Sequence, residues 1–537
     1  MFMLTVVALV VHGILFQHLP MYFRKQPKAH TKYFKFLKKW DFWTSCVNIK
    51  GFHFQPSLVV LAIVFMGVNV GFCFAQIDDL DYQPKYYVIS KRISKVAIGS
   101  LPIMMFSVAK HDVLTYISGL QHDRMEFLHK WLARIMWVMI SAHLALAIYY
   151  WLSLKFIIML YIPPQIFGFI AYFSFCVLTW GSVKFIRELA YDFFLVQHRV
   201  FAFIMLLLSF FHNGGNRAAI LIAVHGLVID RVVSKVFAHI HAHKSPTKGR
   251  CEFKILDEGT VSVTIPVCEA GYSKPKAWYT RFLPKYKTWK AGQHIYFNVS
   301  KIKFFQYHPF TIASLAESGE MKLLIRVQKG FTKQLMKNLE QVDHDVVTIK
   351  GMFHGPYGAT YQPFIGFDTC LFFAAGSGGA FTFPVCLDLL NQIEKRNDFG
   401  DYLFRPATQT IRFVWSIKKT DNICWFEDIL KQFAGRCIVD IYVTQECKEE
   451  NSSSTESNSK GSIMEITKTL SNDYNIYYGR PDIECIIQQH SQQLLPEQSI
   501  SVASCGSPPF TKKVKESCQA ARKLDKSPNV YCYTESF

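Results

Sequence analysis

Seven long apolar runs dominate the first 240 residues, at about 1–17, 56–76, 93–110, 128–150, 160–181, 196–214 and 217–238. A helix needs roughly 20 mostly apolar residues to cross a bilayer, so these runs predict a multi-pass α-helical membrane domain over residues 1–240. Pro102 interrupts the run at 93–110, and Lys91, Arg92 and Lys95 crowd its start. The run at 1–17 has no basic n-region and no small-residue cleavage site, so it is read as a span rather than a signal peptide. Half of the chain is hydrophobic and 47 residues are Phe, but after about residue 240 the composition turns ordinary. Short alternating stretches and Gly/Pro turns replace the long runs.

Charge orients the spans. Arg24, Lys25, Lys28, Lys32, Lys35, Lys38 and Lys39 crowd one loop, which is expected on the cytosolic side. Asp78, Asp79 and Asp81 sit in the next loop, expected on the opposite side. Counting onward puts everything after 240 in the cytosol. The formal charge of +19 is then met by positive-inside loops and a site for an anionic cofactor, and calls for no nucleic-acid partner. The fourteen cysteines include no CxxC pair and read as reduced thiols.

Two apolar runs are bracketed by histidines at the same spacing: His129 with His143, and His198 with His212. On a helix, a separation of fourteen residues leaves both imidazoles on nearly one face, about 21 Å apart. One span separates the two runs, so they point the same way. His129 and His198 then share one depth, and His143 and His212 another. Two facing imidazoles at each level suit the axial ligation of two stacked haems in a four-helix core. Spacing alone is weak, because His225/His239 and His294/His308 repeat it. The former encloses Asp230, Arg231 and Lys235, and the latter lies in the soluble half. Arg134, after His129, suits either a haem propionate or an ion pair with another helix.

Haems pass single electrons, whereas nicotinamide donates a hydride, so a flavin is expected between them. Ala291–Ser300 alternates like a barrel strand. Tyr307–Leu315 and MKLLIRVQ follow, and then KGFTKQLMKN, where Thr332 is expected to cap a helix facing a pyrophosphate. Each piece alone is also compatible with a plain barrel strand or a capped surface helix. Gly355–Gly358 (GPYG) reads as a turn. Residues 368–390 read as a buried strand, a glycine turn and a helix, with Gly376, Ser377, Gly378 and Gly379 open to phosphates. The glycine pattern is GxGG, without the acidic ribose residue of a Rossmann NAD site.

These motifs occur in order with FVWSIK (Phe413–Lys418), IYVT (Ile441–Thr444), GRPDI (Gly479–Ile483), Cys505–Gly506 and a terminal ESF. From about residue 85 onward the chain resembles the ferric reductase and NADPH oxidase family in its fungal branch. The resemblance implies a ferredoxin-reductase-like module: an antiparallel β-barrel FAD domain, 247–360, and an α/β NADPH domain, 361–537. It implies that His308, Pro309, Phe310 and Thr311 hold the flavin, with Ile312, Ala313 and Ser314 continuing the motif. It implies that Gly376, Gly378 and Gly379 wrap the NADPH phosphates and that Arg480 meets the 2′-phosphate. Cys505 and Gly506 would lie by the nicotinamide, and Phe537 would cover the flavin ring. CGSP stands here where the family's usual motif is CGP, with Ser507 inserted. Residues 446–462, rich in Ser, Asn and Glu, read as a disordered insertion.

The expectation is an enzyme passing electrons from cytosolic NADPH through FAD and two b haems to an acceptor across the bilayer. Ferric or cupric ions are the expected acceptor, as in a metalloreductase. The alternative is dioxygen, as in a superoxide-generating NADPH oxidase. A non-catalytic transporter or scaffold would not need every motif intact. The expected location is the plasma membrane or the endoplasmic reticulum, and no obligate protein partner is evident.

Overall fold

The computed structural model describes residues 2–24, 33–44, 47–49, 52–75, 83–109, 118, 122–245, 247–267, 289–302, 306–342, 344–398, 408–446, 469–470, 474–523 and 528–536. Asp78, Asp79 and Asp81, residues 447–462 of the insertion, and Phe537 lie outside the described residues. The chain divides into two compact units: residues 1–17 with 57–234, and 18–56 with 235–537.

The first unit is helical. Its longer helices are Phe2–Gly13, Pro56–Phe74, Lys85–Phe106, His122–Ser153, Pro163–Trp180, Tyr191–His212 and Arg217–Lys244, the last of which runs on into the second unit, and the short helix Lys184–Leu189 lies among them. Among the described residues, five helical stretches are long and apolar enough to cross a bilayer: Met3–Arg24, Pro56–Phe74, Met125–Ser153, Pro163–Trp180 and Phe193–His212. Lys85–Phe106 carries Lys85, Lys91, Arg92 and Lys95 in its first half, and Arg217–Lys244 carries Asp230, Arg231 and Lys235. Leu101, Met104, Leu132, Met136, Phe175 and Met205 form the interior. Val138, Phe173 and Phe203 are exposed on the outside, as lipid-facing positions should be. At Gly226 the last helix comes so close to Phe106 that a β-carbon would run into the ring, the close approach that small residues permit between membrane helices.

The second unit holds two large sheets. Strands β1 (Val47–Ile49) and β2 (Phe52–Phe54) form a separate hairpin. The six-stranded antiparallel sheet uses β3 (Arg250–Asp257), β4 (Thr260–Pro266), β5 (His294–Val299), β6 (His308–Thr311), β7 (Glu320–Arg326) and β8 (Val346–Tyr357), in the order β6-β5-β8-β3-β4-β7. A bridge between Ile312 and Leu323 joins its two ends into a barrel. Val261, Val263, Ile295, Phe297 and Ile325 alternate inward to fill it. Gly355–Tyr357, expected as a turn, instead closes β8, because Tyr357 pairs with His294 of β5.

The remaining strands are β9 (Thr369–Ala375), β10 (Thr410–Ile417), β11 (Ile438–Val443), β12 (Thr469–Leu470), β13 (Asn475–Tyr478), β14 (Ser499–Gly506) and β15 (Asn529–Ser536). They form a seven-stranded sheet in the order β12-β13-β11-β10-β9-β14-β15, parallel except for β12. Strand β9 is buried along nearly its whole length and apolar after Thr369, as a strand covered on both faces should be. Residues 18–56 belong to this unit, although the sequence assigned them to the membrane domain. They form the helices Leu19–Arg24 and Phe34–Thr44 and the β1–β2 hairpin.

Candidate functional site

In the helical unit, His129 and His198 lie ring to ring. The His129 and His198 rings face each other with centroids 6.4 Å apart and planes at 57°. Two iron–nitrogen bonds of about 2 Å, each extended by roughly 1.1 Å to a ring centre, call for about 6.3 Å. The centroid separation of this pair matches that span.

The far nitrogens of all four rings are already occupied. His129 Nδ1 donates to the Met104 carbonyl at 2.9 Å. His143 Nδ1 donates to the Ser90 carbonyl at 2.9 Å, with Ser90 Oγ at 3.0 Å. His212 Nδ1 donates to the Pro164 carbonyl at 2.7 Å. The Ser182 hydroxyl donates to the Leu178 carbonyl, so its oxygen accepts from His198 Nδ1 at 3.4 Å. Each partner fixes the tautomer that leaves Nε2 as a lone-pair donor, the arrangement that metal-ligating histidines use. Gly168 packs flat on His212: a β-carbon there would lie 2.6 Å from Nδ1. Arg134 is exposed, with its guanidinium 5.2 Å from the Trp131 ring centre one turn earlier on its own helix.

In the barrel, β6 displays the HPFT motif at the sheet edge beside β5. The His308 ring stacks on Phe331 at 4.6 Å and 16°, which brings it to the start of the helix Phe331–Glu340. That helix presents first-turn N–H groups and its positive dipole end, a natural anion seat. Its cap is Gly330, whose φ of 77° is left-handed. Thr332 is not the cap as expected. It lies inside the first turn, where its hydroxyl accepts from the Gln328 N–H at 2.8 Å.

Pro309 is exposed, Phe310 is half-buried and Thr311 is buried. The next three residues are held by the barrel itself. Ile312 is fully buried, and Ala313 donates its N–H to the Lys322 carbonyl. Ser314 donates to the Glu320 carbonyl at 2.6 Å and accepts from the Lys322 N–H at 3.0 Å. These contacts anchor the edge on which His308–Thr311 stand.

The parallel sheet reverses its strand order at β9, which lies between β10 and β14. The crevice outside the carboxyl ends of such strands is where open α/β sheets bind ligands. The glycine turn sits there. Gly376 has φ 54°, and its carbonyl accepts from Trp415 Nε1 at 3.1 Å. A β-carbon on Gly378 would run into the Cys505 carbonyl, and one on Gly506 would lie 2.7 Å from Ala375 Cβ. These glycines hold the β9 and β14 ends together, directly before the helix Gly379–Asp398. Cys505 is buried at the same end; burial first, then the Glu535 charge, pushes its thiol well above the ordinary value. Arg480 is exposed and follows Gly479, which takes φ 117° after β13.

Arg326, the last residue of β7, lies in no recognised motif. Its guanidinium lies 3.5 Å from where a Gly376 β-carbon would be, bringing a barrel cation to the glycine turn. Its place just before KGFT was the only local signal.

The model of a ferric reductase like transmembrane component matches residues 93–209. An FAD-binding domain matches 272–361, and a ferric reductase NAD binding domain matches 367–519. The chain is 26% identical over 471 residues to ferric reductase transmembrane component 5 of Saccharomyces cerevisiae, covering 84% of this chain and 61% of that protein. It is 25% identical to a probable cell surface ferric reductase, kap2, of Aspergillus oryzae, covering 70% of this chain and 50% of the relative. It is 21% identical to ferric/cupric reductase transmembrane component 2 of Schizosaccharomyces pombe, covering 90% and 86%. The chain thus spans between half and two thirds of the length of the first two relatives.

Proposed function

Because this chain combines a ferric-reductase transmembrane component with FAD- and NAD-binding domains, and its homologues are fungal ferric and cupric reductase components, we propose that it is a transmembrane metalloreductase. It draws electrons from cytosolic NADPH and delivers them to ferric or cupric ions across the bilayer. The observation that carries this reading is the facing His129–His198 pair, matched in Nδ1 partners by His143 and His212. Bound FAD would supply the conversion from hydride to single electrons, and two b haems would supply their passage through the apolar core.

The protein's own residues position and insulate. His129 with His198, and His143 with His212, offer Nε2 at two depths. Met104, Ser182, Ser90 and Pro164 hold those rings against rotation. His308 and the N-terminus of the helix Phe331–Glu340 receive the flavin phosphates, and Pro309, Phe310 and Thr311 border its ring. Gly376, Gly378 and Gly379 open the backbone to the NADPH pyrophosphate, with Arg326 supplying charge. Arg480 selects the 2′-phosphate. Cys505 and Gly506 floor the nicotinamide, and the neutral thiol adds no charge there. The cluster from Arg24 to Lys39 faces the cytosol by the positive-inside rule, and the nucleotide module shares that side. The membrane is the plasma membrane or the endoplasmic reticulum, and the reaction needs no nucleic acid or obligate protein partner.

The test offers purified full-length protein NADPH with either ferric chelate or oxygen. Ferric reduction insensitive to superoxide dismutase, together with a b-type spectrum after dithionite, is the expected result. Superoxide as the main product would replace the metalloreductase with an oxidase. Absence of a haem spectrum would leave a transporter or scaffold.

A further inference from the structure

A buried polar cluster ties the N-terminal segment to the nucleotide-binding sheet. Arg24 and Asp41 form an ion pair at 2.7 Å, with both side chains 1% exposed. Arg24 Nε donates to Gln362 Oε1 at 2.9 Å, and its guanidinium lies 3.9 Å over the Phe367 ring. Gly366 makes room for it, since a β-carbon there would collide with the Arg24 side chain. Asp41 accepts from Asn529 Nδ2 at 2.6 Å. The Tyr531 hydroxyl accepts from the Gln362 N–H at 3.0 Å, and Tyr531 stacks on Phe367 at 5.3 Å.

Two residues of this cluster, Asn529 and Tyr531, lie on β15, the edge strand of the sheet. The same strand runs beside β14 with Glu535 opposite Cys505 and Ser536 opposite Gly506. An edge strand is paired on one side only, so its open side must be held by other contacts. Here its first residues are gripped by a charge pair that costs much to break once buried.

We propose that Arg24 and Asp41 are positioning residues for the nicotinamide end of the reductase. The helices Leu19–Arg24 and Phe34–Thr44 brace the nucleotide domain through these two residues. This brace sets where β15 stands, and so the wall beside Cys505 and Gly506. This inference rests on the functional reading above.

The experiment uses full-length protein in membranes, with NADPH or NADH as donor and a soluble dye as acceptor. Asp41→Asn should raise the NADPH KM about fivefold, with kcat less affected. The dithionite haem spectrum and the FAD content should stay at wild-type levels. Asp41→Asn with Asn529→Asp returns a carboxylate to the cluster and should recover most of the loss. Arg24→Lys, which keeps the charge, serves as a milder variant if Asp41→Asn does not accumulate. Trypsin cleavage at Arg522, which precedes β15, reads the brace without turnover and should speed up in Asp41→Asn. Unchanged kinetics and cleavage would overturn the proposal. So would a loss shared equally by KM, kcat and FAD content, or a double variant no better than the single. Wild-type membranes that do not oxidise NADPH would instead sink the functional reading, while the cleavage pattern would still report on the brace.

Discussion

Gly168 lies so close to His212 that a β-carbon there would stand 2.6 Å from Nδ1 and 2.7 Å from Cε1. Pro164, one turn earlier on the same helix, accepts the hydrogen bond from that nitrogen. One helix turn therefore sets both the rotation and the tautomer of the ring. Gly168→Ala should push the imidazole off this seat. Outer-partner changes of this kind cost about 10–100-fold in metal affinity. The haem-to-flavin ratio, read by pyridine haemochrome, should fall from two toward one. NADPH-driven dye reduction by the nucleotide module should persist. A ratio still at two would show that the ring tolerates displacement.

His143→Leu should remove the same outer level outright. It deletes both the Nε2 donor and the partner of Ser90. Ferric reduction should stop while dye reduction continues. Because both substitutions act on one level, the double variant with Gly168→Ala should be no worse than His143→Leu alone. An additive further loss of haem would place the two residues at different levels.

The histidine pairs were legible because helix geometry converts a spacing into a shared face. Their supports were not, because Met104 and Ser90 come from another helix, 25 and 53 positions away. The glycine turn was legible from its position between a largely apolar strand and a helix. Thr332 was misread as a cap because Thr is a common cap, yet Gly330 alone could take the left-handed φ at that corner. The N-terminal brace left no trace in the sequence. Its lysines read as a positive-inside loop, and its partners Gln362 and Asn529 lie 338 and 488 positions from Arg24 and Asp41.

Cys505 should behave as a masked thiol. Burial, then the charge of Glu535, raises its ionisation well above 9.0. The neutral form is thus favoured by the fold, so this contribution to stability is full below pH 9.0. It is lost as pH rises above that value, where the unfolded chain gives up the proton first. At pH 8, iodoacetamide should label the exposed Cys485 long before Cys505. Mass spectrometry of the labelled peptides checks this, with urea-unfolded protein as the control. Equal labelling rates in the native protein would mean that the β14 end opens readily.

Arg480 offers the sharpest test of nucleotide choice. It is exposed after the left-handed Gly479, and among the described residues it makes no ion pair. The following residues are held independently, since Asp482 caps the helix Ile483–Gln493 by accepting from the Cys485 N–H at 3.1 Å. Truncating Arg480 should therefore spare the fold and remove only a charge. A charge-assisted contact to a phosphate contributes about 1.5–3 kcal/mol, so Arg480→Ala should raise the NADPH KM more than tenfold. The NADH KM should barely move, because NADH has no 2′-phosphate to lose. Arg480→Lys should fall between, keeping the charge but not the planar fork. Steady-state kinetics with both nucleotides decides the matter. An equal rise for NADPH and NADH would mean that Arg480 shapes the loop, and that selection of the 2′-phosphate lies with another residue.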